Sequence, residues 1–275
     1  MEKYLVCIDL DSTFLKDDKS ISDYSKEYIK KFVNEGNYLI INTGRPHQGA
    51  IQFLKELDIH QPMIVSNGSA IVEYDQNYEN VISHITFTMD QKNVKKFYKK
   101  TKKYIKTCAI SCLFDFYSTD ISSCPFFIIH PSEQVKFHEG DIDKILNQNP
   151  LRMEYFVKSE YVNKFEKILN KRRFKKVFDY INWGTWDNIA SFEIYPKNGT
   201  KGFAMEYLSK KLGISYKNTF AFGDQLNDLS MIEYAHDGVA MLNARDEVKT
   251  KANHITKKDN NQDGVVSYLE ELNLI

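Results

Sequence analysis

The sequence predicts an α/β protein: a Rossmann-like core with a parallel sheet, interrupted by an inserted α+β domain. Over the first 80 residues, and again from about residue 191, short apolar runs alternate with amphipathic helical segments. This alternation is typical of buried parallel strands joined by right-handed helical crossovers. Between the two stretches the alternation is less regular, and several segments alternate with a period of two. That pattern indicates antiparallel strands with one buried face.

The predicted domains are therefore a discontinuous core over residues 1–84 and 191–275 and an inserted domain over residues 85–190. A chain of 275 residues is long enough to form two domains of ordinary size.

The first core segment contains three predicted strands and two predicted helices. "KYLVCIDL" is a buried strand, and the helix "SDYSKEYIKKFVNEG" follows it, with Ser22 as its N-cap and Gly36 as its stop. "NYLIINTG" is the second strand, and "RPHQGAIQFLKEL" is a helix with Pro46 near its first turn. We interpret "QPMIVSNGSAI" as the third strand.

The inserted domain is predicted to contain the amphipathic helix "KNVKKFYKKTKKYIK", with its lysines in solvent. The apolar stripe of this helix consists of Val94, Phe97, Thr101 and Tyr104. We interpret "TCAISCLFDF" as a strand of an antiparallel sheet. Its buried face would hold Cys108, Ile110, Cys112, Phe114 and Phe116.

The second core segment resumes the alternation of strands and helices. Its predicted elements are the strand "ASFEIYP", the helix "TKGFAMEYLSKKLG", the strand "NTFAFGD", the helix "LNDLSMIEYA", the strand "GVAML", the helix "RDEVKTKA", the strand "HIT" and the helix "GVVSYLEEL".

Composition bounds the function. The 37 basic and 37 acidic residues cancel, so the global charge favours neither nucleic acid nor an anionic membrane as a partner. No apolar run approaches the roughly 18 residues of a membrane-spanning helix, and the N-terminus lacks the apolar region of a signal peptide. We expect a cytoplasmic protein with reduced thiols at its four cysteines.

Two acidic residues, Asp9 and Asp11, end the first predicted strand. The carboxyl ends of strands in open α/β sheets are where ligands bind. Two carboxylates about 4 Å apart repel each other by roughly 4 kcal/mol at an effective dielectric constant near 20. A divalent cation bound by hard oxygen ligands would offset this repulsion. A single acid at the end of a strand would favour a simple cap of the following turn. A pair of acids after an apolar strand favours a bound cation.

Three further sites follow, or nearly follow, predicted strands. In "FAFGDQLNDLSM", Asp224 ends a predicted strand, and Asn227 and Asp228 lie near the start of the next helix. The free backbone N–H groups at a helix start favour an anion. The alternative is that Asp224 or Asn227 simply caps the helix. Thr43 and Gly44 would bring a hydroxyl and a backbone N–H to one phosphate oxygen, or would simply form a turn. Lys201 begins a helix, where it would neutralise a phosphate or a carboxylate, unless it is merely solvated. Because each of these sites follows, or nearly follows, a predicted parallel strand, we expect all of them to lie at the carboxyl edge of one sheet.

The segments "DLDST", "NTGRP", "TKG" and "GDQLND" resemble the four motifs of the haloacid dehalogenase-like hydrolase superfamily, in their usual order. The long insertion and the terminal "NNQDGVV" resemble its Cof-type branch of sugar-phosphate phosphatases, which have a class IIB cap. Ser12 stands where this family usually has glycine. The resemblance implies that the inserted domain is a cap that closes over the site, excludes water and selects the substrate. Trp183 and Trp186 are candidates for lining that cleft or for packing.

The resemblance also implies roles for individual residues. Asp9 would be the nucleophile that forms an aspartyl-phosphate, and Asp11 would be the general acid and then the base. Magnesium would be bound by Asp9, Asp224 and the backbone carbonyl of Asp11, with Asp228 as a ligand or a support. The residues implied in binding the phosphoryl group are Thr43, Gly44, Arg45, Lys201 and Asn227, while a structural role is equally open for Arg45 and Asn67.

The predicted function is Mg²⁺-dependent hydrolysis of a small phosphorylated metabolite. Two alternatives stay open: a phosphomutase that uses the same aspartyl-phosphate, and a non-catalytic regulator that binds a sugar phosphate. "DNNQDGVVSYLE" matches the calcium-loop pattern. It lacks a preceding helix, however, and we interpret it as a turn into the last helix. The sequence leaves the oligomeric state undetermined.

Overall fold

The structure is a computed structural model that describes residues 2–124 and 135–274. It divides into two compact units. Unit 1 comprises Met1–Ile85 and Thr200–Ile275, and unit 2 comprises Thr86–Gly199.

The first segment of unit 1 begins as the sequence predicts. Ser22 Oγ accepts a hydrogen bond from the Ser25 N–H at the start of the first helix, and Gly36, with φ +87°, lies just beyond its end. The elements are β1 (Leu5–Ile8), α1 (Asp23–Asn34), β2 (Tyr38–Ile41), α2 (His47–Leu57), β3 (Met63–Val65), β4 (Ala70–Tyr74) and β5 (Val81–Thr86).

Within its described residues, unit 2 is built on a six-stranded sheet in the order β10-β11-β9-β6-β7-β8. Its neighbours pair antiparallel except for β7 and β8. The elements are α3 (Gln91–Thr101), β6 (Ile105–Ser111), β7 (Asp115–Ser118), β8 (Lys136–Glu139), α4 (Ile142–Ile145), β9 (Arg152–Lys158), α5 (Val162–Leu169), α6 (Arg172–Lys175), β10 (Phe178–Trp186) and β11 (Ile189–Pro196). Val94, Phe97 and Thr101 of α3 are buried as predicted.

The second segment of unit 1 completes a parallel sheet in the order β14-β13-β12-β1-β2. Its elements are α7 (Lys201–Leu212), β12 (Thr219–Gly223), α8 (Leu229–Tyr234), β13 (Asp237–Ala240), α9 (Asp246–Lys249), β14 (His254–Ile255) and α10 (Gly264–Glu271). The central strand β1 is fully buried between β2 and β12. The carboxyl ends of these three strands therefore lie side by side. The predicted α/β class, with a parallel core and an inserted α+β domain, is confirmed.

Three sequence predictions differ from the structure. "QPMIVSNGSAI" is a hairpin of β3 and β4, because Asn67 and Gly68 have φ of +52° and +96° and reverse the chain. With β5 these strands form a separate three-stranded sheet, joined to the segment after β2 by an isolated bridge between Asn42 and Ile64.

The second difference is "TCAISCLFDF", which is also a hairpin rather than a strand. The turn between β6 and β7 breaks the period of two. Cys108, Ile110 and Cys112 therefore join the main core of unit 2, Phe116 packs with Ala109 and Cys124, and Phe114 is exposed. All four cysteines are buried and unbridged.

The third difference concerns residues 191–199, which the sequence analysis assigned to the core. They lie in unit 2, because β11 pairs along its length with β9 and β10. None of the helices in the described part of the chain is both long and apolar enough to cross a lipid bilayer.

Candidate active site

The loop after β1 contains both acids that were predicted to end this strand, Asp9 and Asp11. The strand ends at Ile8, and residues 10–14 form a wide helical turn closed by a 2.8 Å bond from the Leu15 N–H to the Leu10 carbonyl. Within this turn Asp11 is extended and Ser12 is left-handed, with φ +60°. The strand period of two therefore does not extend to Asp11, and it gives no ground for expecting the two carboxylates to point the same way.

Asp9 instead clusters with two acids that follow β12. Carboxylate oxygens of Asp9, Asp224 and Asp228 lie within 4.8 Å of one another, and all three side chains are buried. Lys201 is fully buried beside them, with its Nζ 2.6 Å from Asp9 Oδ1 and 2.5 Å from Asp228 Oδ1. Three carboxylates and one ammonium leave a formal charge of −2, which a divalent cation would neutralise. Hard carboxylate oxygens are the ligands that Mg²⁺ prefers, so these residues fit that ion.

Burial dominates the electrostatics of this cluster. It raises the pKa of Asp9 to about 8, with Lys201 opposing the rise and Asp228 and Asp224 adding to it. It likewise raises the pKa of Asp224 to about 6, helped by Asp228. Burial disfavours the charged form of Lys201, but the charges of Asp228 and Asp9 outweigh this effect and raise its pKa. Keeping these carboxylates charged, buried and close together therefore costs free energy, and a bound cation would offset that cost.

Asp228 holds the loop after β12 in place. Its Oδ2 accepts hydrogen bonds of 2.9 Å from the backbone N–H groups of Asp224 and Gln225, while its Oδ1 binds Lys201. A Cβ on Gly223 would lie 2.4 Å from the Asp228 Cβ, so glycine is required for this approach. Thr13 Oγ1 donates a 2.9 Å bond to Asp224 Oδ1.

The residues predicted to bind phosphate, apart from Lys201, form a second group at the end of β2. Thr43 is buried, and its Oγ1 accepts a bond from the Arg45 N–H. Asn67 links the group together: its N–H donates to the Thr43 carbonyl, and its Oδ1 accepts a 2.7 Å bond from Asn227 Nδ2. A Cβ on Gly44 would lie 2.9 Å from Asn67 Oδ1. The structure thus brings Thr43, Gly44, Asn67 and Asn227 together.

The Asp11 carboxylate is bound by two cations. Arg45 makes a bidentate pair with it: Nε lies 2.8 Å from Oδ2 and Nη2 lies 2.7 Å from Oδ1. Lys19 Nζ lies 2.7 Å from Oδ1. Burial would raise the pKa of Asp11, but the bonds from Arg45 and Lys19 outweigh burial and lower it to about 2. Asp11 is therefore a carboxylate at neutral pH in this arrangement.

Sequence reasoning missed three contributors to the site: Thr13, Lys19 and Asn243, whose Nδ2 donates a 2.7 Å bond to the Ser12 carbonyl. Thr13 lies within the "DLDST" segment, which is a signal that could have identified it. Lys19 and Asn243 lie in segments without a pattern, and only the fold brings them to the loop after β1.

The fold is α/β, and the clustered residues lie at the carboxyl ends of β1, β2 and β12 in the parallel sheet. The chain belongs to the haloacid dehalogenase-like hydrolase family, because a model of that family matches residues 6–269. The predictions of this family and of an enzyme are confirmed.

The chain is similar to two curated proteins of Bacillus subtilis (strain 168). It is 29% identical to 5-amino-6-(5-phospho-D-ribitylamino)uracil phosphatase YitU, covering 98% of this chain and 97% of that protein. It is 27% identical to the phosphatase YcsE, which is named for the same compound, covering 95% and 92%. Among solved structures, the HAD subclass IIB sugar phosphatase BT4131 aligns with a TM-score of 0.75 at 20% identity, covering 99% of this chain and 100% of that one. That likeness shows the fold.

Proposed function

We propose that this protein is a Mg²⁺-dependent phosphatase that hydrolyses a small phosphorylated metabolite through an aspartyl-phosphate on Asp9. The observation that carries the proposal is the buried cluster of Asp9, Asp224, Asp228 and Lys201, with its formal charge of −2. Such a cluster suits a cation and an incoming phosphate.

Asp9, Asp224 and the backbone carbonyl of Asp11 would hold the ion. Asp228 would support it from beside the site, because both of its oxygens already accept hydrogen bonds. When bound, Mg²⁺ supplies positive charge to the phosphoryl oxygens and neutralises the nucleophile.

The reaction has two displacements at phosphorus. A carboxylate oxygen of Asp9 forms a bond to phosphorus as the bond to the ester oxygen breaks, and Asp11 donates a proton to that oxygen. Water then attacks the phosphorus of the aspartyl-phosphate, Asp11 takes up its proton, and Asp9 is released with inorganic phosphate. Thr43, the Gly44 N–H and Asn227 would contact the phosphoryl oxygens, and Lys201 would stabilise their charge.

Arg45 and Lys19 keep Asp11 unprotonated at neutral pH, as the base of the second step must be, although the same contacts lower its pKa to about 2 and so weaken it as a base. Donation in the first step requires Asp11 to be protonated. A bound phosphate ester that draws Arg45 or Lys19 away from Asp11 would raise this pKa and permit that step.

The residues proposed to carry out the reaction all lie in unit 1. We therefore propose that unit 2 selects the leaving group. Candidate substrates are sugar phosphates, pyridoxal phosphate, flavin mononucleotide and the ribitylaminouracil phosphate for which YitU and YcsE are named.

The test is phosphate release from a panel of such esters with Mg²⁺ and then with EDTA. We expect metal-dependent release that Asp9→Asn abolishes while the folded state persists by circular dichroism. Asp9→Asn that retained more than a few per cent of the wild-type rate would exclude the covalent step. Transfer to a second hydroxyl of a hexose phosphate would indicate a mutase instead, and binding without metal-dependent release would indicate a regulator.

A further inference from the structure

The start of α7 is held in place by other parts of unit 1. Lys201 is the first residue of this helix, and its side chain is fully buried. Asn42, just after β2, donates a buried 3.1 Å hydrogen bond from its Nδ2 to the Lys201 carbonyl. Ser230 Oγ, in α8, accepts a 3.0 Å bond from the Gly202 N–H. The first N–H groups of a helix have no partner within that helix, so Ser230 satisfies a donor that α7 itself cannot.

Two glycines let the neighbouring elements approach the start of α7 closely. A Cβ on Gly202 would lie 2.0 Å from the Ser230 carbonyl oxygen. A Cβ on Gly68, in the turn between β3 and β4, would lie 2.1 Å from the Thr200 carbonyl oxygen and 2.5 Å from the Lys201 nitrogen. No side chain fits at either position. The backbone of Lys201 is therefore packed against both α8 and the β3–β4 turn, and it has little room to shift.

Asn42 is a costly residue for its position. It is fully buried, and its N–H donates to the Ile8 carbonyl in the neighbouring strand. Its side-chain Oδ1 is buried and has no hydrogen-bond partner among residues 2–124 and 135–274. A buried acceptor without a donor is unfavourable, and an apolar side chain would avoid this cost. What the amide does provide is the bond to the Lys201 carbonyl. Its presence is therefore better explained by the placement of Lys201 than by stability.

The position of the Lys201 backbone controls where its ammonium lies. A lysine side chain is a flexible stem of four carbons, and the Nζ of Lys201 has to meet two fixed partners, Asp9 Oδ1 at 2.6 Å and Asp228 Oδ1 at 2.5 Å. A displacement of about 1 Å among reacting groups can lower a rate about a hundredfold. A backbone that shifted by that much would move Nζ away from one carboxylate or the other.

We propose that Asn42 and Ser230 are positioning residues, which fix the backbone at Lys201 so that its Nζ stays between the Asp9 and Asp228 carboxylates. Neither side chain takes part in the chemistry, because each acts through the main chain at the start of α7. This inference rests on the proposed phosphatase function, in which Lys201 stabilises the charge of the phosphoryl group during transfer. Loss of either contact should therefore impair the transition state more than the binding of substrate.

The kinetic experiment measures kcat and KM for p-nitrophenyl phosphate with Mg²⁺. Asn42→Ala should lower kcat about tenfold or more and leave KM within about twofold. The matched control is Asn218→Ala. Asn218 is also buried, and its Nδ2 donates to the Lys3 carbonyl at the opposite, amino edge of the sheet. Both variants lose a hydrogen bond to a backbone carbonyl, but only Asn42→Ala should lower kcat. An unchanged kcat in Asn42→Ala, or an equal fall in the control, would overturn the role of Asn42.

A pair of variants at Ser230 tests the other contact and does not depend on the folding of Asn42→Ala. Ser230→Ala removes the acceptor of the Gly202 N–H and should lower kcat about tenfold with KM unchanged. Ser230→Thr keeps the hydroxyl and should restore kcat to within about threefold of the wild type. A wild-type kcat in Ser230→Ala, or equal losses in both variants, would overturn the role of this hydroxyl.

A second measurement does not depend on hydrolysis. Proton–nitrogen NMR of the protein in EDTA follows hydrogen exchange at the Lys201 ammonium, whose signal is assigned by its absence in Lys201→Met. Asn42→Ala and Ser230→Ala should speed this exchange about tenfold or more, whereas Asn218→Ala should leave it within about twofold. If no ester releases phosphate but the exchange depends on Asn42 and Ser230, the hydrolysis is overturned and the positioning stands. Exchange that is unchanged in both variants would overturn the positioning while the hydrolysis stands.

Discussion

The Nζ of Lys201 lies 2.6 Å from Oδ1 of Asp9, and both side chains are buried. Asp9 follows the central strand, while Lys201 begins α7 almost 200 positions later in the chain. The lysine therefore fixes the orientation of the proposed nucleophile and balances part of the acidic charge around it.

Lys201→Met should destabilise unit 1 by about 3–5 kcal/mol, because it leaves buried carboxylates without their cation. Added Mg²⁺ should recover part of this loss, since the ion supplies positive charge to the same carboxylates. Urea unfolding in EDTA and in Mg²⁺ measures both effects. The matched control is Lys210→Met, which removes an exposed pair with Glu206 one turn away and should cost no more than about 0.5 kcal/mol. Equal stability of the two variants would refute the argument.

Arg45→Met should move the acidic limb of the pH–rate profile to higher pH. Arg45 helps to hold the pKa of Asp11 at about 2, and without it the base required for the second step is protonated at higher pH. The measurement is kcat against pH with p-nitrophenyl phosphate, whose leaving group needs no proton, so that the limb reports the second step. Arg245→Met, which removes an exposed pair with Glu247, is the control and should leave the limb in place. If the acidic limb stays at the same pH in Arg45→Met, Asp11 is not the base of the second step.

Glu154→Gln should make the protein more stable at pH 8 and less dependent on pH. Burial raises the pKa of Glu154 from 4.5 to about 7 in the folded state, so between these values the folded chain holds a proton that the unfolded chain has released. Stability therefore falls as pH rises through this window, by about 3 kcal/mol in total, and the loss is complete above pH 7.

Unfolding free energies of the wild type and Glu154→Gln, measured from pH 4 to pH 8, test this. The difference between the two should grow from pH 4.5 to pH 7 and then stay constant. A difference that is independent of pH would show that Glu154 is not shifted.

Ser12→Gly should stabilise the protein by up to about 1 kcal/mol. Ser12 has φ +60°, and a residue with a Cβ pays roughly 1–2 kcal/mol for this conformation, which the greater chain entropy of glycine partly offsets. Chemical denaturation measures the change. Ser215→Gly is the control, because Ser215 is exposed with φ −62° and glycine should instead destabilise there by about 0.5–1 kcal/mol. Destabilisation by Ser12→Gly would mean that the serine side chain is needed in the loop.

Elements whose signals are local could be predicted from the sequence alone. Apolar strands alternating with helices predicted the parallel sheet, Ser22 and Gly36 marked the ends of α1, and four short motifs indicated which residues meet at the sheet edge. These predictions succeed because strand burial, capping and the carboxyl-edge rule depend on residues that are close in sequence.

The pairing of those residues became visible only in the folded chain. The predicted strand ran through Asp11, whereas the chain leaves β1 at Ile8 and turns through the left-handed Ser12. Asp9 pairs with Lys201, and Asp11 with Arg45 and Lys19. The hairpin turns and the placement of β11 in unit 2 also escaped prediction. Each depends on contacts between residues distant in sequence, whose energies are set by packing and burial rather than by local pattern.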